Sequence, residues 1–439
     1  MQLASSLVLI VLLASCSMQK QIAKTADRTV LADSALKQAH IGISIFDPST
    51  NRYLYNYNGG RYFVPASNTK IVTCYAAMKY LGDSIAGIRY TETPEGIVLV
   101  PTGDPGLLHA DYKQQPVIDF LKKQQKPLYI SEKNWKTDAL GAGWSWGDFN
   151  FYYMVERSAL PVYGNILTWI QERDTTQADA TPVIYSIPEI NWKVRFSADT
   201  TRKTFYVQRS KDENVFVINE GREPRKQQQV PFVTYGLKSA LELLKDTIGK
   251  EIQLTETELP ANQKLNTIYS WPTDSLLRPM MYHSDNFFAE QLLLMAANEK
   301  FGILNEDKIV DSLLKTEFKE LPQRPGWADG SGLSRFNLFT PQDFIVILDK
   351  MQKEFGMERL KAIFPTGGTG TLSNYYKDAT GYIFAKTGSL NGVLALSGYM
   401  YTRKGKLLIF STLINNHRAP VTNTRKQVEK FLMDIRDNY

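Results

Sequence analysis

The sequence predicts a mixed α/β protein in which antiparallel strands and packed helices near both ends of the chain flank a long β-rich segment. Alternating apolar runs joined by turn residues occur at residues 40–55 and 382–414, and such alternation marks half-buried strands. Apolar stretches of helical length follow the first run and precede the second, at residues 71–81 and 286–297. From about Asp83 to Asn266 the texture changes, and short β-like runs alternate with Gln- and Lys-rich polar stretches.

In chain order, Leu3 to Ala14 is an uncharged apolar run of signal-peptide length, too short to span a bilayer. It ends in Leu13-Ala14-Ser15-Cys16, which resembles a bacterial lipobox. Cys16 would then be the lipid-modified first residue of an exported protein of the cell envelope or periplasm, anchored to a membrane. Met1-Gln2 departs from the pattern in lacking the basic residue of a usual secretory signal, and an ordinary cleaved signal with Cys16 incidental is the alternative. From His40, the pattern IGISIF, DPSTNR, YLYNY reads as a β-hairpin turned by Asp-Pro and Asn. Ser67-Asn68-Thr69-Lys70 then opens a helix to Leu81 with hardly any polar face, which must be buried on most sides and holds Cys74 as a lone thiol.

The segment after Asp83 contains strand-like runs such as Ile97 to Val100 and Thr204 to Val207 and reads as an inserted unit. Helices return after Ile268, at Asn286 to Ala297 and, amphipathic, at Pro341 to Lys353. Strands follow at Tyr382 to Thr387, Gly392 to Tyr401 and Lys406 to Ile414, then a helix from Thr424 to Ile435. The organisation expected is a signal peptide with lipobox at 1–16, one domain formed by 20–82 and 269–439, and an accessory insertion at 83–268.

Composition narrows the function classes. With 43% hydrophobic and 22% charged residues the 439-residue chain can bury a sizeable core. The net charge of +6 is spread out, without a run of five like charges, so no nucleic-acid footprint is indicated. Two cysteines exclude a disulfide framework, and the four histidines show no paired-ligand spacing, so neither a metal nor another cofactor is expected.

Ser-x-x-Lys is uninformative alone, since it occurs at Ser17, Ser34, Ser67 and Ser312. Order and context discriminate. Only Ser67-Asn68-Thr69-Lys70, then Ser284-Asp285-Asn286, then Lys386-Thr387-Gly388 fall in sequence at a helix start, a helix-flanking loop and a strand. That set is shared by penicillin-binding proteins and class A β-lactamases. Ser67 is a poor nucleophile unless a base lies within reach, and Lys70, one turn later, is on the same face. Lys70 acts as a base only if its pKa falls, which burial and a second cation such as Lys386 promote. Ser284 can pass a proton to a leaving amine and Asn286 can hold a substrate amide. Lys386 and Thr387 suit a terminal carboxylate, and Gly388 lets substrate lie against the strand. The backbone N–H groups of Ser67 and Ser389 are the expected oxyanion hole, each donor worth roughly 3–4 kcal/mol.

Further segments extend the pattern: Gly103-Asp104-Pro105-Gly106-Leu107, Trp144-Ser145-Trp146-Gly147-Asp148, Ser158-Ala159-Leu160, Asp329-Gly330-Ser331-Gly332-Leu333-Ser334-Arg335 and Lys386-Thr387-Gly388-Ser389-Leu390. With these the chain resembles the D-alanyl-D-alanine carboxypeptidase and endopeptidase family of class C penicillin-binding proteins, the penicillin-binding protein 4 type. The 217 positions from Ser67 to Ser284 accommodate that family's large insertion. The resemblance implies a penicillin-recognising DD-peptidase/β-lactamase-like transpeptidase fold, an α+β sandwich whose antiparallel sheet is flanked by helices, with the β-rich insertion. It further implies a serine peptidase acting on peptidoglycan stem peptides, with β-lactams as covalent inhibitors. Asp148 in the insertion would read a basic group on the substrate, a turn or cap role being the alternative. Where the family usually has Gly-Gly-Asp-Pro-Thr-Leu, this chain has Thr102 and Gly106 in place of the first glycine and the threonine.

Two other readings stay open. A β-lactamase would share acylation, but no Glu-x-x-Leu-Asn segment lies between Ser284 and Lys386. A non-catalytic wall-binding or β-lactam-sensing module would not need all three motifs intact. Gly143-Trp144-Ser145-Trp146-Gly147 matches a nucleophile elbow, yet the polar, glycine-rich stretch before it is not the strand an elbow needs. The Pro365 to Thr371 segment lacks the Gly-Lys-Ser/Thr of a phosphate loop and reads as a turn into the third-motif strand.

Overall fold

A computed structural model describes residues 19–174, 176, 181–199, 201–257, 259–260 and 263–439. The expected signal run, lipobox and Cys16 lie outside the described residues. Contacts divide the chain into two units, one made of the residues up to Met78, Leu277–Asp285 and Val310–Tyr439, the other of Lys79–Leu276 and Asn286–Ile309.

The first unit is built on a five-stranded antiparallel sheet in the order Ile383–Leu390, Val393–Tyr401, Leu407–Asn415, His40–Asp47, Arg52–Tyr57. The predicted hairpin at His40 therefore forms one edge, and the third motif lies on the other. The central strands are buried along almost their whole length, as expected of a sheet covered on both faces. One face packs on Val428, Phe431, Leu432 and Ile435 of the helix Val421–Asn438 and on Ile22 and Ala26 of a helix over residues 19–28. On the other face, the buried Tyr399 donates its hydroxyl to Leu348 O at 2.7 Å, in the helix Pro341–Phe355.

The helix Thr69–Tyr80 is buried from Thr69 through Met78, Cys74 included, as its apolar sequence requires. Helix Pro341–Phe355 starts from a capping box in which Thr340 Oγ1 accepts from Asp343 N at 3.1 Å and Asp343 accepts from Thr340 N at 2.8 Å. Burial pushes the Asp343 carboxyl up to about 6 in spite of these bonds. No helix among the described residues is long and apolar enough to cross a membrane.

The second unit holds a mixed five-stranded sheet in the order Ile252–Leu254, Leu128–Ile130, Ile97–Pro101, Ser84–Glu92, Asn266–Pro272, and two three-stranded sheets. Helices Pro116–Lys123 and Lys238–Ile248 contribute Val117, Leu121, Leu243 and Leu244 to its core. Asp104 of the Gly-Asp-Pro segment is buried and accepts from Gly106 N at 2.8 Å, and burial raises its carboxyl to about 6. The helix Asn286–Phe301 packs in this unit. Its buried Gln291 donates to Gly103 O and Ser158 O, and its buried Glu290 faces Arg157.

Replacing Thr340 with Ala removes a buried cap and should lower unfolding free energy by about 1–2 kcal/mol, read from urea midpoints at unchanged m-value.

Candidate active site

Ser67 occupies the short 3-10 turn Ala66–Asn68 that runs straight into helix Thr69–Tyr80. Ala66 before it has a left-handed φ of 47°, uncommon for a residue with a Cβ. Gly332 fits against it tightly enough that a Cβ there would stand 1.8 Å from Ala66 O. One turn on, Lys70 Nζ lies 3.1 Å from Ser67 Oγ and donates to Ser331 O at 2.8 Å. Lys70 has no exposed surface. A neutral amine held this way directs an N–H at the carbonyl and can turn its lone pair to the serine hydroxyl, the orientation a base needs.

The carbonyl that receives Lys70 belongs to a loop organised by Asp329. Its buried carboxyl accepts from Gly332 N at 2.7 Å, Ser334 N at 2.6 Å and Asn337 Nδ2 at 2.7 Å. Thr73, on the Lys70 helix, donates to Gly330 O at 2.6 Å and ties the loop down.

Lys386 Nζ donates to Ser284 Oγ and to Thr387 O, both at 2.8 Å. Complete burial, and then the positive charges of Lys70 and Arg425, hold Lys386 well below the usual lysine range. Ser284 itself has a left-handed φ of 60°, a strained conformation of order 1–3 kcal/mol that persists only where its surroundings over-determine it. Gly388 passes so close to Ser67 that a Cβ would lie 2.7 Å from Pro65 O and 3.0 Å from Ser67 N. Asn68 links the two segments, its side chain donating to Lys386 O at 2.8 Å and accepting from Ser397 Oγ at 2.7 Å.

The third-motif strand extends to Leu390, beyond the Thr387 end expected from the sequence, because Gly388, Ser389 and Leu390 pair with Ala395, Leu394 and Val393. Its outer edge is covered as far as Ala385, which donates to Pro365 O at 3.0 Å. Along Lys386 to Leu390 no further strand pairs with that edge among the described residues, so an extended peptide can add there.

The first unit thus brings together Ser67, Lys70, Ser284, Lys386, Thr387, Gly388 and Ser389. Asn286 and Asp148 belong to the second unit. There Asn286 Nδ2 donates to Tyr153 O at 2.9 Å, and Asp148, at the end of the 3-10 turn Trp146–Asp148, hydrogen-bonds the Tyr153 side chain. Burial, then the Asp148 charge, raises the Tyr153 phenol. Around the elbow-like Ser145, no strand leads into the segment among the described residues, and Trp146 is 74% exposed. His283, beside Ser284, is exposed.

Sequence reasoning missed Asn68, the Ser331 carbonyl and Arg425, whose Nη2 donates to Ser389 Oγ at 2.9 Å. Asp329 to Arg335 reads from the sequence as loop structure near the site, but which carbonyl of it meets Lys70 is not signalled; nothing local marks Arg425.

A family model described as the D-Ala-D-Ala carboxypeptidase 3 (S13) family matches residues 23–435. The chain is 24% identical over 422 residues to D-alanyl-D-alanine carboxypeptidase DacB of Haemophilus influenzae, covering 86% of each. It is 26% identical over 440 residues to a D-alanyl-D-alanine carboxypeptidase of Actinomadura sp., covering 89% of this chain and 80% of that one. The crystal structure of penicillin binding protein 4 (dacB) from Haemophilus influenzae superposes with a TM-score of 0.73 at 21% identity, over 94% of this chain and 98% of that one. The same protein complexed with a β-lactam aligns with a TM-score of 0.65 at 20% identity, over the same shares.

Lys386 binds fewer protons folded than unfolded between its lowered pKa and the ordinary 10.5. Its contribution to stability is therefore unfavourable below that window and becomes less so as pH rises through it. Lys386→Met should consequently match or exceed wild-type stability at pH 7, with the difference shrinking by pH 9.5. Urea unfolding at both pH values checks this, and a variant clearly less stable at pH 7 contradicts it.

Proposed function

Because the chain belongs to the D-Ala-D-Ala carboxypeptidase 3 (S13) family, we propose that it works as a serine-type D-alanyl-D-alanine carboxypeptidase/endopeptidase through an acyl-enzyme on Ser67. The observation that carries this reading is the pair of contacts from two buried lysines to two partly buried serines, Lys70 Nζ at 3.1 Å from Ser67 Oγ and Lys386 Nζ at 2.8 Å from Ser284 Oγ.

Lys70 takes the Ser67 proton as Oγ attacks the carbonyl of the penultimate D-alanine. The Ser67 and Ser389 N–H groups stabilise the oxyanion. Ser284, held by Lys386, relays a proton to the departing amine, which is a terminal D-alanine in carboxypeptidase action and the neighbouring stem peptide in endopeptidase action. Thr387 and Lys386 receive the terminal carboxylate, and Asn286 holds a substrate amide. Asp148 meets a basic group on the stem peptide. Water then releases the acyl group and restores Ser67. A β-lactam acylates the same serine, but its leaving group stays tethered, so the adduct persists.

Work on peptidoglycan places the protein at the cell envelope, and we read Leu13-Ala14-Ser15-Cys16 as the site of its lipid anchor.

Ser67→Ala should reduce D-alanine release from a pentapeptide by at least ~10³-fold and abolish the long-lived fluorescent-penicillin adduct, with the fold retained by circular dichroism; release at the wild-type rate refutes the assignment. Rapid penicillin turnover by wild type would instead favour a β-lactamase. Digestion of isolated peptidoglycan, with monomer and crosslinked products separated, reports the balance of the two peptidase actions. In cells given a fatty-acid probe, Cys16→Ser should lose the label, and retained label rules out the anchor.

A further inference from the structure

The helix Val421–Asn438 carries Arg425 to the third-motif strand, where Nη2 donates to Ser389 Oγ at 2.9 Å. A serine oxygen that accepts from a guanidinium has its own O–H left to donate elsewhere, and Ser389 is exposed. Thr387, two positions earlier, projects from the same strand face and lines a narrow, mostly apolar pocket with Leu372, Tyr375, Leu396, Arg425 and Val428. The Tyr375 ring supports the guanidinium at 5.5 Å.

Arg425 has no carboxylate within ion-pair distance among the described residues, and its Nε is buried without a hydrogen-bond partner. Glu429, one helical turn on, accepts instead from Tyr376 N. The charges acting on neighbouring Lys386 are both positive, those of Lys70 and Arg425. The strand therefore presents two hydroxyl donors beside a guanidinium that no carboxylate pairs among the described residues, a combination suited to a carboxylate.

We propose that Arg425 is a specificity-determining residue of this site: it orients the Ser389 hydroxyl and, with Thr387, selects substrates that end in a free carboxylate. The inference rests on the reading of Ser67 as the acylated serine, and it gives Arg425 and Ser389 a part in holding the terminal carboxylate that Thr387 and Lys386 receive. Arg425 takes no part in the proton transfers, so its loss should show as lost discrimination rather than lost chemistry.

The test compares kcat/KM for an acylated peptide ending in D-Ala-D-Ala with that for the same peptide as its terminal carboxamide. Wild type should favour the free acid. Arg425→Gln should shrink the acid-over-amide ratio by about 10–100-fold, chiefly through KM for the acid, and Arg425→Lys should restore part of it. Labelling of Ser67 by fluorescent penicillin and the thermal midpoint report whether each variant is folded. An unchanged ratio, whether both rates fall together or neither changes, overturns the proposal. A wild type that turns over neither peptide overturns the Ser67 reading, and this inference with it, whereas an active wild type with no preference overturns the inference alone.

Discussion

Two lysines with no exposed surface, Lys70 and Lys386, share one interior, and the charge of each disfavours the charge of the other. Burying even one ammonium is costly unless it is paired or gives up its proton. Much of the first unit's local structure answers that constraint. The Ser331 carbonyl takes one lysine, Ser284 and the Thr387 carbonyl take the other, and the Asp329 loop holds Ser331 in place. Left-handed backbone at Ala66 and Ser284 is the local strain that accompanies this geometry. Under the proposed mechanism stability is reduced where reactivity is required, because a lysine comfortable as a cation would be no base.

Asn68 extends the same logic. It sits between Ser67 and Lys70 in sequence, yet its side chain faces Lys386 O and Ser397 Oγ. The residue after Ser67 thus fixes the distance from the helix of Lys70 to the third-motif strand. Gly388 sets the lower limit of that distance, since any side chain there would strike Pro65 O. A helix and a strand brought together from distant parts of the chain are locked by two residues that perform no chemistry.

The sequence made much of this legible. Apolar alternation located the hairpin at His40 and the strands after Tyr382, and the unbroken apolar face of Ile71 to Leu81 announced a buried helix. The three motifs carry their chemistry in residue type and order, so the cluster could be named before its distances were known. Contacts between remote side chains were invisible, and Arg425 is the clearest case, because on its own helix it reads as one more surface cation. Helices Pro116–Lys123 and Lys238–Ile248 were hidden by the Gln- and Lys-rich texture around them. Strand Tyr206–Arg209 was placed too early because its last residue is a buried arginine, satisfied by Pro231 O and Ser210 O, which local pattern takes for surface. The grouping of helix Asn286–Phe301 with the second unit depends on Gln291 and Glu290 finding partners there, which periodicity does not report.

The sheet of the first unit pairs His40–Asp47 with Leu407–Asn415, strands separated by most of the chain. On a ribosome, Ser67 and Lys70 emerge more than 300 residues before Lys386. Until then the helix of Ser67 and Lys70 has neither the strand that Asn68 grips nor the second buried lysine beside Lys70. The proposed base and the third-motif strand thus meet only when the last part of the chain has been made. A chain that stops short of Lys386 lacks the third motif altogether.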